Sequence, residues 1–255
     1  MNAAGSDTTV KMGYVTVTEQ MNFKVYAEGS GLYPPGYSPV PDANRTPADL
    51  YNNLQTCGNI DPRKCWSGGG LYLDGDSNER HWNFREDANS YSDNADFSFF
   101  AGHGGNNKII FGNQYMDTDL TSDSMKFGGN RLKWVTLSAC NALDQSTWEN
   151  WKPVFDGVHI VNGFDTEGFL TPDQGAIYAD LLTGSGAYDL YSIRDAWKWT
   201  LKFTLNEESV RGAYMWADYC GNDYLPGFGN YCSEPMKNSL GQYQIWWDNF
   251  DCSNL

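Results

Sequence analysis

Two stretches decide the fold: Phe97-Ser-Phe-Phe-Ala-Gly-His103-Gly104 and Trp134-Val-Thr-Leu-Ser-Ala-Cys140-Asn141. Each opens on a short apolar run and closes on small, turn-forming residues, the pattern of a strand buried on both faces. Val158-His-Ile-Val161 and Ala213-Tyr-Met-Trp216 repeat it. Helical patterns lie among these runs. Ser192-Ile-Arg-Asp195 is a capping box, and Ile193, Trp197, Leu201 and Leu205 form one apolar stripe behind it, with Lys198 and Lys202 off the stripe. Pro172 to Leu182 reads as a second helix, and Thr147 to Phe155 as a shorter third interrupted by Pro153. Alternating strands and helices need crossovers, so the sequence predicts an α/β fold, a three-layer sandwich with a mostly parallel central sheet. All 255 residues are expected to form one domain. Residues 1–95 read as its irregular, loop-rich N-terminal portion, because GSGLYPPGYSPVPDANRTP and GNIDPRKCWSGGG are dense in turn signals. Within that portion Tyr14–Thr18 and Phe23–Tyr26 alternate as strands do, and Pro47–Leu54 suits a short helix.

Ligands bind such sheets beyond the carboxyl ends of the strands, so the residues that follow each run are the site candidates. Gly102-His103-Gly104 follows the first, Ser138-Ala139-Cys140 the second, and Asn162-Gly-Phe-Asp165-Thr-Glu167 the third. His103 and Cys140 therefore fall at the ends of consecutive strands, on one edge of the sheet. A thiol is only a few per cent thiolate near neutrality. An adjacent imidazole can take its proton and hold the thiolate ready for attack on a carbonyl, then return a proton to the leaving amine. A helix starting after Cys140 would favour the same anion.

An apolar strand ending in His-Gly, followed by one ending in Ala-Cys 37 residues later, resembles the caspase–legumain–gingipain–clostripain clan of cysteine peptidases. The resemblance covers roughly residues 95 to 165. It implies a caspase-like fold, with His103 as general base and acid, Cys140 as nucleophile, and Gly104 as the donor of an oxyanion-binding amide beside the amide of Cys140 itself. Basic-specific members carry an acid two positions before the nucleophile; this chain has Ser138 there. Asp165, Glu167 and Asp144 are the replacements within reach in sequence. The implied activity is peptide-bond cleavage through a thioacyl intermediate, with a peptide or protein as substrate. The same dyad with an amine acceptor gives a transpeptidase or cyclase. A different class, an extracellular module binding carbohydrate or protein on the same fold without catalysis, would use the ten Trp and sixteen Tyr for stacking.

Composition narrows the setting. With 17 basic and 32 acidic residues the net charge is −15, and no Lys/Arg run is present, which argues against nucleic acid. No apolar stretch is long enough to span a membrane. The opening MNAAGSDTT lacks the basic and apolar regions of a signal peptide, yet a weakly charged, aromatic- and Gly-rich chain leans towards a secreted or cell-surface protein. Cys57 with Cys65, and Cys220 with Cys232, flank short loops and are expected as disulfides, which leaves Cys252 and the candidate nucleophile. His159, inside an apolar run, is expected as a core histidine. The dyad chemistry requires no cofactor. Asp74-Gly-Asp76-Ser-Asn78 alternates oxygen ligands as calcium loops do, but lacks the glycine and distal Glu of a full loop; calcium is the metal it would suit, and in so acidic a chain a chance match is the favoured reading.

Overall fold

The computed structural model describes residues 23–56, 66–73, 81–85, 91–113, 116–207 and 209–253. Seven strands make the main sheet: β1 (Lys24–Gly29), β2 (Ser67–Tyr72), β3 (Phe97–Ala101), β7 (Trp134–Ser138), β8 (Ile160–Phe164), β9 (Arg211–Ala217) and β10 (Ile245–Asp251). Their order is β2-β1-β3-β7-β8-β9-β10. The first five are parallel, and β9 and β10 run antiparallel to their neighbours. Period-two burial explains the strands. Val25, Ala27, Phe97, Phe99, Trp134 and Ile160 face one core, while Tyr26, Phe100, Val135, Leu137 and Val161 face the other. Full burial of the larger of these, the valines, leucine, isoleucine and phenylalanines, stabilises by about 1.5–3 kcal/mol each.

Helices α1 (Arg45–Thr56), α2 (Gln174–Thr183) and α3 (Ile193–Thr204) cover the first face. The capping box forms: Ser192 Oγ accepts from the Asp195 amide at 3.2 Å and donates to the Asp195 carboxylate at 2.9 Å. Ile193, Trp197 and Leu201 are fully buried behind it. Gly184, in the left-handed region at φ 63°, ends α2. The other face is covered differently. A three-stranded antiparallel ribbon of β4 (His103–Gly105), β5 (Lys108–Asn113) and β6 (Met116–Thr121) lies there with short 3-10 turns, supplying Ile109, Phe111, Leu120, Trp151 and Val154 to the second core. The three-layer α/β architecture is the one expected; the second outer layer is a ribbon instead of helices.

Four local expectations change. Residues 148–154 form a 3-10 segment, not an α-helix, since Pro153 supplies no amide donor to continue it. Ala213–Trp216 lies in an antiparallel strand because two helices, α2 and α3, separate β8 from β9. The pair returns the chain to the edge it left, where the Asp165 amide donates to the Arg211 carbonyl. Cys140 is followed by turns and not by a helix, so no helix dipole acts on it. The portion read as irregular supplies β1, α1 and β2, with β1 between β2 and β3 inside the sheet; turn-rich connections hide these short elements in the composition. The expected strand at 14–18 lies outside the described residues. Among the described residues, no helix is long and apolar enough to cross a membrane.

Candidate active site

Strands β3 and β7 are adjacent and parallel, and their register pairs Ala101 with Ser138. His103 and Cys140 each stand two residues further on, so they leave the sheet level with each other on strands about 4.8 Å apart. The backbones stay in contact beyond the strands. A Cβ on Gly104 would lie 2.5 Å from the Cys140 carbonyl oxygen and 2.8 Å from Ala139 Cβ, which is why a glycine follows His103. From β1 the chain steps outward to β2 and then returns past β1 to β3, so the order reverses at the carboxyl ends of β1 and β3, where doubly wound sheets bind ligands. A cavity of about 220 Å³ opens there. It is lined by Pro39–Asp42 after β1, Gly102 and His103 after β3, Ser138–Cys140 from β7, and Phe164 and Gly168–Leu170 from β8 onward.

His103 is held from three sides. Its Nε2 lies 2.6 Å from the Ser38 carbonyl oxygen, which can only accept, so Nε2 carries the proton and Nδ1 is the basic nitrogen of the neutral ring. Its backbone amide donates to Tyr33 Oη at 2.9 Å, and that hydroxyl donates to the Ile110 carbonyl at 2.7 Å. The imidazole also packs on the rings of Tyr33 and Tyr37, with centroids 4.5 and 5.6 Å away.

Cys140 is a free, half-buried thiol. Its Sγ donates to the Gly168 carbonyl at 3.0 Å and lies 3.5 Å from the Gly168 amide, not in a hydrogen bond to the imidazole. Burial pushes the thiol above its ordinary pKa; the Gly168 backbone bond works against this, and the nearby Glu167 carboxylate adds to it. The strongest influence on the sulfur is lost solvation, which favours the neutral thiol over the thiolate of an ion pair. Asn141 turns the chain after it, in the left-handed region at φ 52°, and its amide donates to the Thr166 carbonyl at 2.9 Å.

The other predicted positions separate clearly. Ser138 lines the cavity, is 1 % exposed, and donates to Gln174 Oε1 at 3.0 Å. Asp165 is equally buried but outside the cavity: its carboxylate accepts from Arg211 Nε at 2.7 Å, Asn249 Nδ2 at 2.8 Å and the Gln145 amide at 2.7 Å. That ties β8, β9, β10 and the Cys140 turn together, with the carboxylate buried away from the cavity. Asp144 closes its own turn by accepting from the Ser146 amide at 2.7 Å. Glu167 is exposed and acts only through its field on Cys140. Cys220 and Cys232 form a disulfide, and Cys252 is a fully buried thiol whose pKa burial pushes up to about 11. His159 is a core histidine, as expected, with Nδ1 2.6 Å from the buried Asp223 carboxylate. Ligand-type atoms of His159, Cys220 and Cys232 lie within 4.8 Å of one another, but the two sulfurs are spent on each other. Cys57, Cys65, Asp74, Asp76 and Asn78 lie outside the described residues.

Tyr33, Tyr37, Ser38, Gln174 and Gly168 were missed by sequence reasoning. The aromatic residues sit in a Pro/Gly stretch that directly follows a strand, which is the available signal. The Ser38 and Gly168 contributions are backbone groups, which any residue type supplies.

A family model matches residues 43–249. The chain belongs to the DUF6345 family, a domain of unknown function. In this DUF6345 chain the match begins within the 3-10 turn Pro41–Ala43 and ends within β10, so it spans β3, β7 and both residues of the pair. No curated protein matches the sequence. Among solved structures, the Drosophila initiator caspase Dronc is similar over 81 % of this chain and 84 % of that one, at 17 % identity and a TM-score of 0.41.

Proposed function

We propose that this DUF6345 protein is a cysteine peptidase in which Cys140 attacks a peptide carbonyl with His103 as its proton carrier. One observation carries the reading: the register of β3 against β7 sets His103 and Cys140 side by side at the mouth of one cleft. The thiol proton passes to His103 Nδ1 as the S–C bond forms. The imidazolium then protonates the departing amine as the C–N bond breaks; water, giving a proton to the same imidazole, attacks the thioester carbonyl, and the C–S bond breaks as that proton returns to the Cys140 sulfur. The amides of Gly104 and Cys140 are the proposed donors to the oxyanion. An amine in place of water turns the same sequence of steps into transpeptidation. A secreted or cell-surface setting fits the Cys220–Cys232 bridge.

The thiol's bond to Gly168 and its raised pKa favour one other reading, a binding module that uses the cleft without chemistry. Digestion of a denatured protein mixture, followed by mass spectrometry of the new termini, separates the two. Cleavage by the wild type that is lost in Cys140→Ala and falls at least a hundredfold in His103→Ala supports the peptidase. Products that persist in Cys140→Ala, or none with any substrate, remove it.

A further inference from the structure

We propose that the cleft selects peptides by an uncharged, apolar side chain of leucine, methionine or phenylalanine size next to the bond that is cut. The inference rests on the peptidase reading and narrows it. At about 220 Å³ the cavity is smaller than the ~300–1,000 Å³ that holds a whole small molecule, and it suits one side chain. Its walls are Pro39, Val40, Pro41, Phe164, Phe169 and Leu170. Ser138, which also lines the cavity, is neutral, and its hydroxyl proton is committed to Gln174.

Each carboxylate in the neighbourhood fails as a partner for a cation. Asp165 is buried and taken by Arg211, Asn249 and the Gln145 amide; Asp144 is turned into its own loop. Glu167 is exposed and does not line the cavity. Asp42 does line it, but is partly exposed, where solvent screens an ion pair to little value. A lysine or arginine would therefore shed its water against six apolar residues for one screened charge. An aspartate or glutamate would meet the Asp42 carboxylate, and the lining holds no lysine or arginine to offset it. An apolar side chain loses no hydrogen bond and buries its surface, an advantage of about tenfold or more in kcat/KM.

A fluorogenic peptide set varied only at the residue before the cut bond tests this, with wild type, Phe169→Ala and Asp42→Asn. The expected result is Leu, Met or Phe at least tenfold above Arg, Lys, Asp and Glu. Phe169→Ala should lose about tenfold on the large apolar substrates and little on Ala, while Asp42→Asn leaves the ranking unchanged. A preference for Arg or Lys, above all one abolished by Asp42→Asn, overturns the proposal. Binding of the same peptides to Cys140→Ala protein keeps the two claims separate. An apolar preference in binding without turnover by the wild type upholds the pocket and ends the peptidase reading. Equal or cationic preference in binding overturns the pocket itself.

Discussion

Burial and Glu167 both favour the neutral thiol at Cys140, and this bears on its reactivity with pH. A thiolate alkylates and a thiol does not, so a raised pKa moves the labelling curve towards alkali. Iodoacetamide labelling of Cys140 in the native protein should therefore rise with a midpoint above that of an ordinary cysteine. Glu167→Gln removes a negative neighbour and should move the midpoint down, by a shift that shrinks in high salt because Glu167 is exposed. A midpoint at or below the ordinary value would show a thiolate already stabilised by His103. The next residue carries a backbone constraint. At φ 52° Asn141 is in the region that asparagine and glycine visit at little cost. Asn141→Gly should leave the urea midpoint nearly unchanged, whereas Asn141→Val should cost about 1–2 kcal/mol. Equal effects from both would mean that the Asn side chain, not the backbone, matters there.

At the scale of elements, the segment after β1 is the part that sequence patterns describe least and the site uses most. Residues 33–41 hold no long regular element, yet Tyr33 anchors His103 through its amide and ring, Ser38 fixes the tautomer, and Pro39–Pro41 wall the cavity. Tyr33→Phe keeps the ring contact and deletes the hydroxyl that joins His103 to Ile110. On the proposed peptidase reading it should lower kcat about tenfold with little change in KM, as expected of a residue that positions the proposed base. Nitrogen NMR of the His103 ring should show a more mixed tautomer. An unaltered ring spectrum with a fallen kcat would refute a positioning role. The strands themselves were legible, because FSFFA and WVTLS can be satisfied only by burial on both faces. The β4–β6 ribbon was not, since its Gly, Asn and Asp residues read equally well as loop until Ile109, Phe111 and Leu120 find the sheet beneath them.

At the scale of the whole molecule, the Cys220–Cys232 bridge closes the loop between β9 and β10 over the buried His159–Asp223 pair. The double variant Cys220→Ser/Cys232→Ser should lose about 2–4 kcal/mol in urea unfolding. The proposed cleavage should survive, because both cysteines lie outside the cavity; its loss in a protein that still folds would contradict that separation. The sequence by itself determined the α/β class, the strands β3 and β7, the capped stripe of α3, and the placing of His103 and Cys140 at one sheet edge. These follow from local periodicity and from equal strand lengths, each residue standing seventh from the start of its run. Only the tertiary structure decided which carboxylates remain for a substrate. Asp165 and Asp144 look alike in a chain of net charge −15, and differ because one meets Arg211 from a distant strand and the other its own turn. The state of the thiol was decided in the same way. Burial and hydrogen-bond partners are sums over groups far apart in the chain, and no local pattern contains them.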